Sequence, residues 1–369
     1  MSVQRYHEAM FGGEQINEQW IDDCSRYLRE VFGDAVSGKT VVDYGFGRGN
    51  WSLAFQRLGA KKVIAVDASQ SGVNRFSTYV KANDIPNITV LAGNTDDAPL
   101  NLSCDIVFLY GILHHVKDPK ELLNQAASWL CGKDGTLLIY AYDRGSLREI
   151  IVSKCRAMTK GGLNELPGWQ NTLHPLARHR ATDDLVAPVV TFWSPERLES
   201  LLAELGLKCI AQFGDFSAFQ GKSLKPEFDP YVLLVAPAGH HEKQINIEPN
   251  KHAIATEYRA IECALDVIVD ADGQLNKTAI ALGIFNTAFA RNPKESFEDR
   301  VFYLWCHLTH LFSSHAEKLS NEGLDEVTRD LMQITVRKIP AKVVESKMRH
   351  VLDAYPTLTN KACNTSYRI

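Results

Sequence analysis

Two rhythms of apolar and polar residues alternate along the first two-thirds of the chain. Short, continuously apolar runs occur in TVVDYG, KKVIAVDAS, NITVLAGN, CDIVFLYGIL and GTLLIYAY. Segments with apolar residues three and four positions apart separate them, as expected for helices. Strands that are apolar on both faces and alternate with helices are typical of a parallel sheet covered on both sides. The pattern predicts a doubly wound, mostly parallel α/β sheet with helices on both faces.

The same pattern predicts how the chain is divided. Residues 1–37 are expected to form a helical lead-in, and residues 38–237 the α/β domain. An insertion at about 144–190 is rich in Gly, Pro, His and Arg, and so long a connection usually serves as a lid or substrate loop. After a polar linker at 238–250, helical patterns dominate. Residues 251–369 are therefore expected to form an all-helical domain.

Composition narrows the class of protein. The 369-residue chain is 45% hydrophobic and 23% charged, with a formal net charge of −4. Proteins that bind nucleic acids usually carry a basic face, so we expect no nucleic-acid partner. The eight cysteines are scattered, none in a C-x-x-C pair, and no apolar run approaches the roughly 18 residues of a membrane span. We expect a cytoplasmic protein without a membrane span or a metal site.

The clearest chemical signal is a glycine-rich turn after the first apolar run. In VVDYGFGRGNWSLAF, Asp43 precedes Gly45, Gly47 and Gly49, and a helical segment follows. Glycines let the backbone turn sharply and approach a ligand, while a helix N-terminus offers unpaired N–H groups. Asp67 ends the second run, where an acid in a doubly wound sheet accepts hydrogen bonds from ribose hydroxyls. Together these features predict a nucleotide-like ligand.

The glycine spacing distinguishes between two cofactor classes. Dinucleotide-binding proteins have G-x-G-x-x-G, whereas this chain has D-x-G-x-G-x-G over residues 43–49. That spacing resembles motif I of class I S-adenosylmethionine-dependent methyltransferases. A nicotinamide-dependent oxidoreductase stays the alternative within enzymes.

The resemblance extends over residues 38–237. Leu113, His114, His115, Asp118 and Pro119 form an L-H-H-x-x-D-P core similar to that of ubiquinone-biosynthesis-type methyltransferases. It implies a Rossmann-like sheet whose last strand is antiparallel, with S-adenosyl-L-methionine as cofactor and S-adenosyl-L-homocysteine as product. The resemblance, or a position next to the cofactor, assigns a set of residues to cofactor binding. These residues are Asp43, Gly45, Gly47, Gly49, Asp67, Ala68, Asn94, Thr95 and Tyr110. Asn94 stands where the family commonly has an acid, and its amide oxygen can still accept from the adenine amine.

The candidate catalytic and acceptor residues lie after the fourth and fifth runs and in the insertion. Histidine suits removal of a proton from a hydroxyl acceptor, so His115, His114 and Asp143 are the candidate catalytic residues. The alternative for the histidines is that they pack and cap the next helix. The acceptor is expected to be a small molecule, such as an acidic metabolite, and the candidate residues for holding it are Tyr142, His174, Arg178, Arg180 and Trp193.

The sequence leaves the role of the C-terminal helices open. The chain is expected to methylate a small molecule, with an oxygen nucleophile favoured. It could instead be a catalytically silent cofactor-binding scaffold that acts through residues 251–369. The same helices could also contact a protein partner or form a homodimer.

Overall fold

The computed structural model describes residues 16–94, 100–159, 163, 168–173, 183–214, 216, 231–239, 261–262, 265–266, 268–270, 275–289, 304, 307–308 and 311. The chain divides into two compact units. One comprises Met1–Glu149 with Val186–Lys251, and the other Ile150–Leu185 with His252–Ile369. The domain boundaries given above stay a prediction.

The first unit contains a seven-stranded sheet in the order β3-β2-β1-β4-β5-β7-β6. The strands are β1 (Thr40–Tyr44), β2 (Lys62–Asp67), β3 (Ile88–Ala92), β4 (Ile106–Leu109), β5 (Thr136–Ala141), β6 (Leu207–Gly214) and β7 (Tyr231–Pro237). The first five pair in parallel, whereas β7 runs antiparallel to β5 and to β6. The Rossmann-like, mostly parallel sheet with an antiparallel last strand is thereby confirmed.

Most of the described helices begin where the sequence supplies a capping side chain. The helices of the described residues include α1 (Glu18–Phe32), α2 (Asn50–Arg57), α3 (Gln70–Ala82), α4 (Pro119–Trp129), α5 (Leu147–Thr159), α6 (Pro195–Glu204) and α7 (Lys277–Phe289). Asn17, Ser69, Asp118 and Ser194 each accept a hydrogen bond from a backbone N–H in the first turn of the helix that follows. Pro119 and Pro195 occupy the first helical positions, where the missing N–H costs nothing. The apolar spacing of these segments and their capping residues thus indicate the same helix starts.

Two apolar cores cover the two faces of the sheet. On one face, β-strand residues such as Val41 and Phe108 pack with buried residues of α1, α2 and α3. On the other face, Val42 and Val107 pack with residues of α4 and α6. Successive strand residues point to opposite faces, so the continuous apolar runs fill both cores. The helices packed on both faces hold the sheet in place, and with it the strand ends that carry the polar residues described below.

Part of the 144–190 insertion is helical. The helix α5 buries Ile150, Ile151, Val152, Cys155 and Met158, and this spacing is an apolar helix face that the sequence analysis did not single out. A short 3-10 turn, Trp169–Thr172, also lies in the insertion.

Within the predicted C-terminal helical domain, the described residues include the helix α7, whose buried residues include Ile280, Ile284 and Phe285. Across the described ranges, no helix has the length and apolar character needed to cross a membrane.

Candidate functional site

The glycine-rich turn joins β1 to α2 at the carboxyl edge of the sheet. All three glycines have positive φ: +83° at Gly45, +56° at Gly47 and +89° at Gly49. A Cβ on Gly49 would lie 2.4 Å from the Phe76 ring, whereas a Cβ on Gly47 would meet nothing within 4 Å. Gly49 is therefore required for packing, and Gly47 borders open space.

Asp67 ties this turn to the neighbouring strand. Its Oδ2 accepts a 2.9 Å hydrogen bond from the backbone N–H of Gly47, and its Oδ1 accepts a 2.8 Å bond from that of Ser69. The Asp67 side chain is buried at the end of β2. The residue predicted to hold a ribose therefore also fixes the position of the middle glycine.

Asp43 lies buried on β1 beneath the turn. Its Oδ2 accepts a 2.6 Å hydrogen bond from the Ser52 hydroxyl, which belongs to the first turn of α2. Burial, opposed by that hydrogen bond and aided by the negative charge of Asp67, raises the pKa of Asp43 from 3.8 to about 7. Loss of solvation penalises the charged carboxylate, so Asp43 titrates near neutral pH when no ligand is bound.

Other predicted cofactor residues occupy the same edge at different depths. Ala68 is half-buried directly after Asp67, and Asn94 is half-buried two residues after β3. The hydroxyl of Tyr110 accepts a 2.8 Å hydrogen bond from the backbone N–H of Phe216. The Tyr110 ring lies 4.8 Å from that of Trp51, centroid to centroid. Tyr110 is thus part of an aromatic cluster beside the turn.

The histidine pair forms a short 3-10 turn, Leu113–His115, just beyond β4. His115 Nδ1 lies 3.0 Å from the carbonyl oxygen of Val189. The His114 ring stacks on the Tyr142 ring with centroids 3.7 Å apart, and His114 is 1% exposed. Burial, reinforced by the electrostatic influence of the neighbouring His115 and Arg148 side chains, lowers the pKa of His114 well below 6.5. His114 is therefore neutral at physiological pH.

The residues after β5 continue this aromatic edge. The Arg148 guanidinium carbon lies 4.5 Å from the centroid of the Tyr142 ring, within the range of a cation–π interaction. Asp143 is buried and pairs with Trp193 in an isolated parallel bridge. The backbone N–H of Trp193 donates a 2.8 Å bond to the carbonyl of Tyr142.

The structure thus places the predicted residues in two groups along one edge. The first contains Asp43, the three glycines, Asp67 and Ala68, with Asn94 beyond them, and the second contains Tyr110, His114, His115, Tyr142, Asp143 and Trp193. The predicted residues Thr95, His174, Arg178 and Arg180 lie outside the described residues. Their assigned roles stay predictions.

The sequence analysis missed several residues of the site, among them Ser52, Val189 and Arg148. Ser52 donates to Asp43, Val189 accepts from His115, and Arg148 covers Tyr142. Ser52 could have been found as a hydroxyl one turn into the helix after the glycines. Val189 acts through its backbone carbonyl, so no residue-type signal marks it.

Comparisons with known proteins give the family. Residues 14–212, more than half of the 369-residue chain, match the family model described as a methyltransferase domain. The chain is 30% identical over 128 residues to a tRNA U34 carboxymethyltransferase of Colwellia psychrerythraea, covering 34% of this chain and 39% of that protein. It is 31% identical over 101 residues to a mitochondrial ubiquinone biosynthesis O-methyltransferase of Schizosaccharomyces pombe, covering 26% and 36%.

Among solved structures, the chain is similar to magnesium protoporphyrin IX methyltransferase of Synechocystis PCC 6803. The match has a TM-score of 0.42 and 16% identity, and covers 64% of this chain and 97% of that one. The chain spans less than two-fifths of the length of the two curated relatives. The matched span contains β1 to β5, the glycine-rich turn and the histidine pair, and on that match the chain belongs to the class I S-adenosylmethionine-dependent methyltransferase family.

Proposed function

We propose that this protein transfers a methyl group from S-adenosyl-L-methionine to a hydroxyl oxygen of a small-molecule acceptor, leaving S-adenosyl-L-homocysteine. The observation that carries the proposal is the D-x-G-x-G-x-G turn: Gly47 borders open space while its N–H is held by Asp67. A ligand can approach the backbone there without a side chain in its way.

The residues of the turn fit the family's cofactor on two observations. A Cβ at Gly47 would occupy empty space, which leaves that space for a ligand. In addition, Oδ1 of Asn50, the first residue of α2, is buried and has no hydrogen-bond partner among the described residues. Buried polar atoms are nearly always paired, so an acceptor atom left over beside the turn supports a ligand with a donor group, such as an ammonium.

Each group of residues has a separate task in the reaction. Asp43, Gly45, Gly47 and Gly49 hold the amino-acid end of the cofactor, Asp67 and Ala68 the ribose, and Asn94 or Thr95 the adenine. When bound, the cofactor supplies an electrophilic methyl group on a sulfonium. Tyr110 borders the reacting centre, and Tyr142 and Trp193 orient the acceptor. Alignment of the reactants and removal of the hydroxyl proton are then the protein's contributions.

His115 is the proposed base that takes this proton. His114 is the weaker candidate because it is buried, stacked on Tyr142 and has a lowered pKa. Asp143, which is buried, is proposed to contribute its carboxyl group to the catalytic residues at this edge. His174, Arg178 and Arg180 are proposed to bind an acidic group of the acceptor, because arginine binds carboxylates and phosphates in a bidentate manner.

The acceptor is proposed to be a small molecule rather than a nucleic acid. The net charge of −4 favours this choice, since nucleic-acid binding is driven largely by basic residues. We further propose a reducing, cytoplasm-like compartment. Within the described ranges, Cys24, Cys104, Cys131, Cys155 and Cys209 are all free thiols. The C-terminal helices are proposed to form a homodimer interface or to bind a protein partner.

Calorimetric titration of the purified full-length chain tests the proposal. S-adenosyl-L-homocysteine should bind with micromolar affinity, and NAD should not bind. Binding of NAD alone would favour the oxidoreductase, whereas binding of neither would favour a scaffold whose glycine-rich turn is vestigial or occluded. Production of S-adenosyl-L-homocysteine should then rise with a hydroxylated small acid but not with tRNA; the reverse result would overturn the acceptor class.

A further inference from the structure

Residues 189–193, here called the 189–193 segment, run along the edge that carries the histidine pair. Its alternate residues make hydrogen bonds to that edge. The Val189 carbonyl oxygen lies 3.0 Å from His115 Nδ1. The Thr191 N–H donates a 2.9 Å bond to the His114 carbonyl, and the Trp193 N–H a 2.8 Å bond to the Tyr142 carbonyl. The segment is therefore tied to the site at every second residue, from Val189 to Trp193.

Several contacts hold the 189–193 segment in register. The indole N–H of Trp193 donates a 3.1 Å hydrogen bond to the Thr191 hydroxyl. The Tyr231 hydroxyl donates a 2.9 Å bond to the Trp193 carbonyl, and Tyr231 itself is buried on β7. The Arg197 guanidinium carbon lies 5.1 Å from the Trp193 ring centroid. A segment fixed at Thr191 and Trp193 presents the Val189 carbonyl at a defined place.

The contact with Val189 determines which nitrogen of His115 carries the proton. A carbonyl oxygen only accepts hydrogen bonds, so Nδ1 must be the donor. A neutral imidazole has one N–H, which leaves the lone pair on Nε2. A backbone carbonyl that fixes the tautomer of a histidine is a common way to set the role of the opposite nitrogen.

We propose that the 189–193 segment is a positioning element that holds His115 in the Nδ1–H tautomer, so that Nε2 is the base for the acceptor hydroxyl. This inference rests on the proposed function. As the acceptor oxygen bonds to the methyl carbon and the sulfur–carbon bond breaks, the hydroxyl proton moves to Nε2. The resulting imidazolium keeps its Nδ1–H bond to Val189, because both ring nitrogens then act as donors.

Nitrogen NMR tests the tautomer directly. Long-range proton–nitrogen spectra would be recorded on full-length protein labelled with ¹⁵N-histidine, with and without S-adenosyl-L-homocysteine, above the titration midpoint of the ring. The His115 signals are identified by their loss in His115→Asn. We expect a protonated Nδ1 and an unprotonated Nε2 in both samples. A protonated Nε2, or an average of the two tautomers, would overturn the proposal.

Two substitutions at Thr191 test the segment as the cause. Thr191→Pro removes the N–H that binds His114, and we expect the His115 signals to shift toward the average of both tautomers. Thr191→Ser keeps the N–H and the hydroxyl and should leave a single tautomer. An unchanged tautomer in folded Thr191→Pro would contradict the role of the segment. If that variant does not fold, the wild-type spectrum still decides the tautomer.

The inferred tautomer and the proposed function can be overturned independently. A protein that does not bind S-adenosyl-L-homocysteine would overturn the function, whatever the tautomer. A protein that binds it but carries the proton on Nε2 of His115 would overturn only this inference.

Discussion

The backbone N–H of Gly47 donates a 2.9 Å hydrogen bond to Oδ2 of Asp67. This bond connects the turn after β1 to the end of β2, two neighbouring parallel strands. The carboxylate that is proposed to hold the ribose thus also holds the backbone proposed to contact the amino-acid end of the cofactor. The Asp67 side chain therefore connects the two ends of the proposed cofactor site.

The first prediction follows from this double role of Asp67. Asp67→Ala should weaken binding of S-adenosyl-L-homocysteine by roughly 10- to 100-fold, because hydrogen bonds to charged groups contribute about 1.5–3 kcal/mol. Asp67→Asn is the matched variant: it keeps one carbonyl oxygen for Gly47 and should lose less affinity. Calorimetric titration measures both. Unchanged affinity in Asp67→Ala would remove Asp67 from the cofactor site.

The second prediction separates two glycines of the same turn. Gly49→Ala should destabilise the fold by roughly 2–5 kcal/mol, because it adds left-handed backbone strain to a clash with the Phe76 ring. Gly47→Ala should cost only about 1–2 kcal/mol of strain, since its Cβ meets no protein atom within 4 Å. It should nevertheless lower affinity for S-adenosyl-L-homocysteine by about tenfold or more, or about 1.4 kcal/mol. Denaturant unfolding with calorimetry distinguishes the two effects, and Gly47→Ala with normal affinity would contradict the site.

The strand ends could be predicted from the sequence because they depend on local patterns. Continuous apolar runs located β1 to β5, and Asp43 and Asp67 followed from their places on β1 and β2. The contacts that tune these residues could not be predicted in the same way. Ser52 is nine residues from Asp43, and Val189 is 74 residues from His115. Such partners are chosen by the packing of the sheet, and a backbone carbonyl has no sequence signature.

The third prediction concerns the pH dependence that Asp43 imposes. Its pKa is about 7 in the folded protein, against an ordinary value of 3.8 for an aspartate exposed to water, so between these values the folded state binds the extra proton. Stability should therefore fall as pH rises from about 4 to about 7. Asp43→Asn should remove this contribution and gain roughly 2–4 kcal/mol relative to the wild type across that window, at about 1.4 kcal/mol per pKa unit.

Denaturant unfolding at several pH values measures this difference without ligand. The exposed Asp34→Asn serves as the control for loss of a surface carboxylate. A constant difference between Asp43→Asn and the wild type from pH 4.5 to 7.5 would show that burial does not raise the pKa of Asp43.

The fourth prediction has the opposite sign and concerns His114. Because burial lowers its pKa well below 6.5, the unfolded chain binds a proton below about pH 6.5 that the folded chain does not. This contribution therefore destabilises the protein as pH falls below 6.5. His114→Phe keeps a ring against Tyr142 and does not titrate, so it should reduce the acid sensitivity. The same unfolding series tests it, and equal acid sensitivity in His114→Phe and the wild type would count against a neutral His114.

The fifth prediction distinguishes catalysis from packing at His115. His115→Asn places an amide N–H near the position of Nδ1, so it can keep the bond to Val189, but it has no atom in place of Nε2. If His115 is the base, this variant should fold and bind S-adenosyl-L-homocysteine normally, while its turnover falls roughly 10²- to 10⁴-fold. His115→Ala should lose stability as well, because the Val189 carbonyl loses its partner.

Initial-rate kinetics with a hydroxylated acceptor, together with unfolding and titration, separate these outcomes. The informative comparison is between His115→Asn and His115→Ala. If His115 only packs against the 189–193 segment, turnover should follow stability, and His115→Asn should be nearly as active as the wild type. If Nε2 accepts the proton, the two variants should be equally inactive although only His115→Ala is destabilised. Loss of turnover in a protein whose fold and cofactor affinity are intact would then show that His115 acts as a general base.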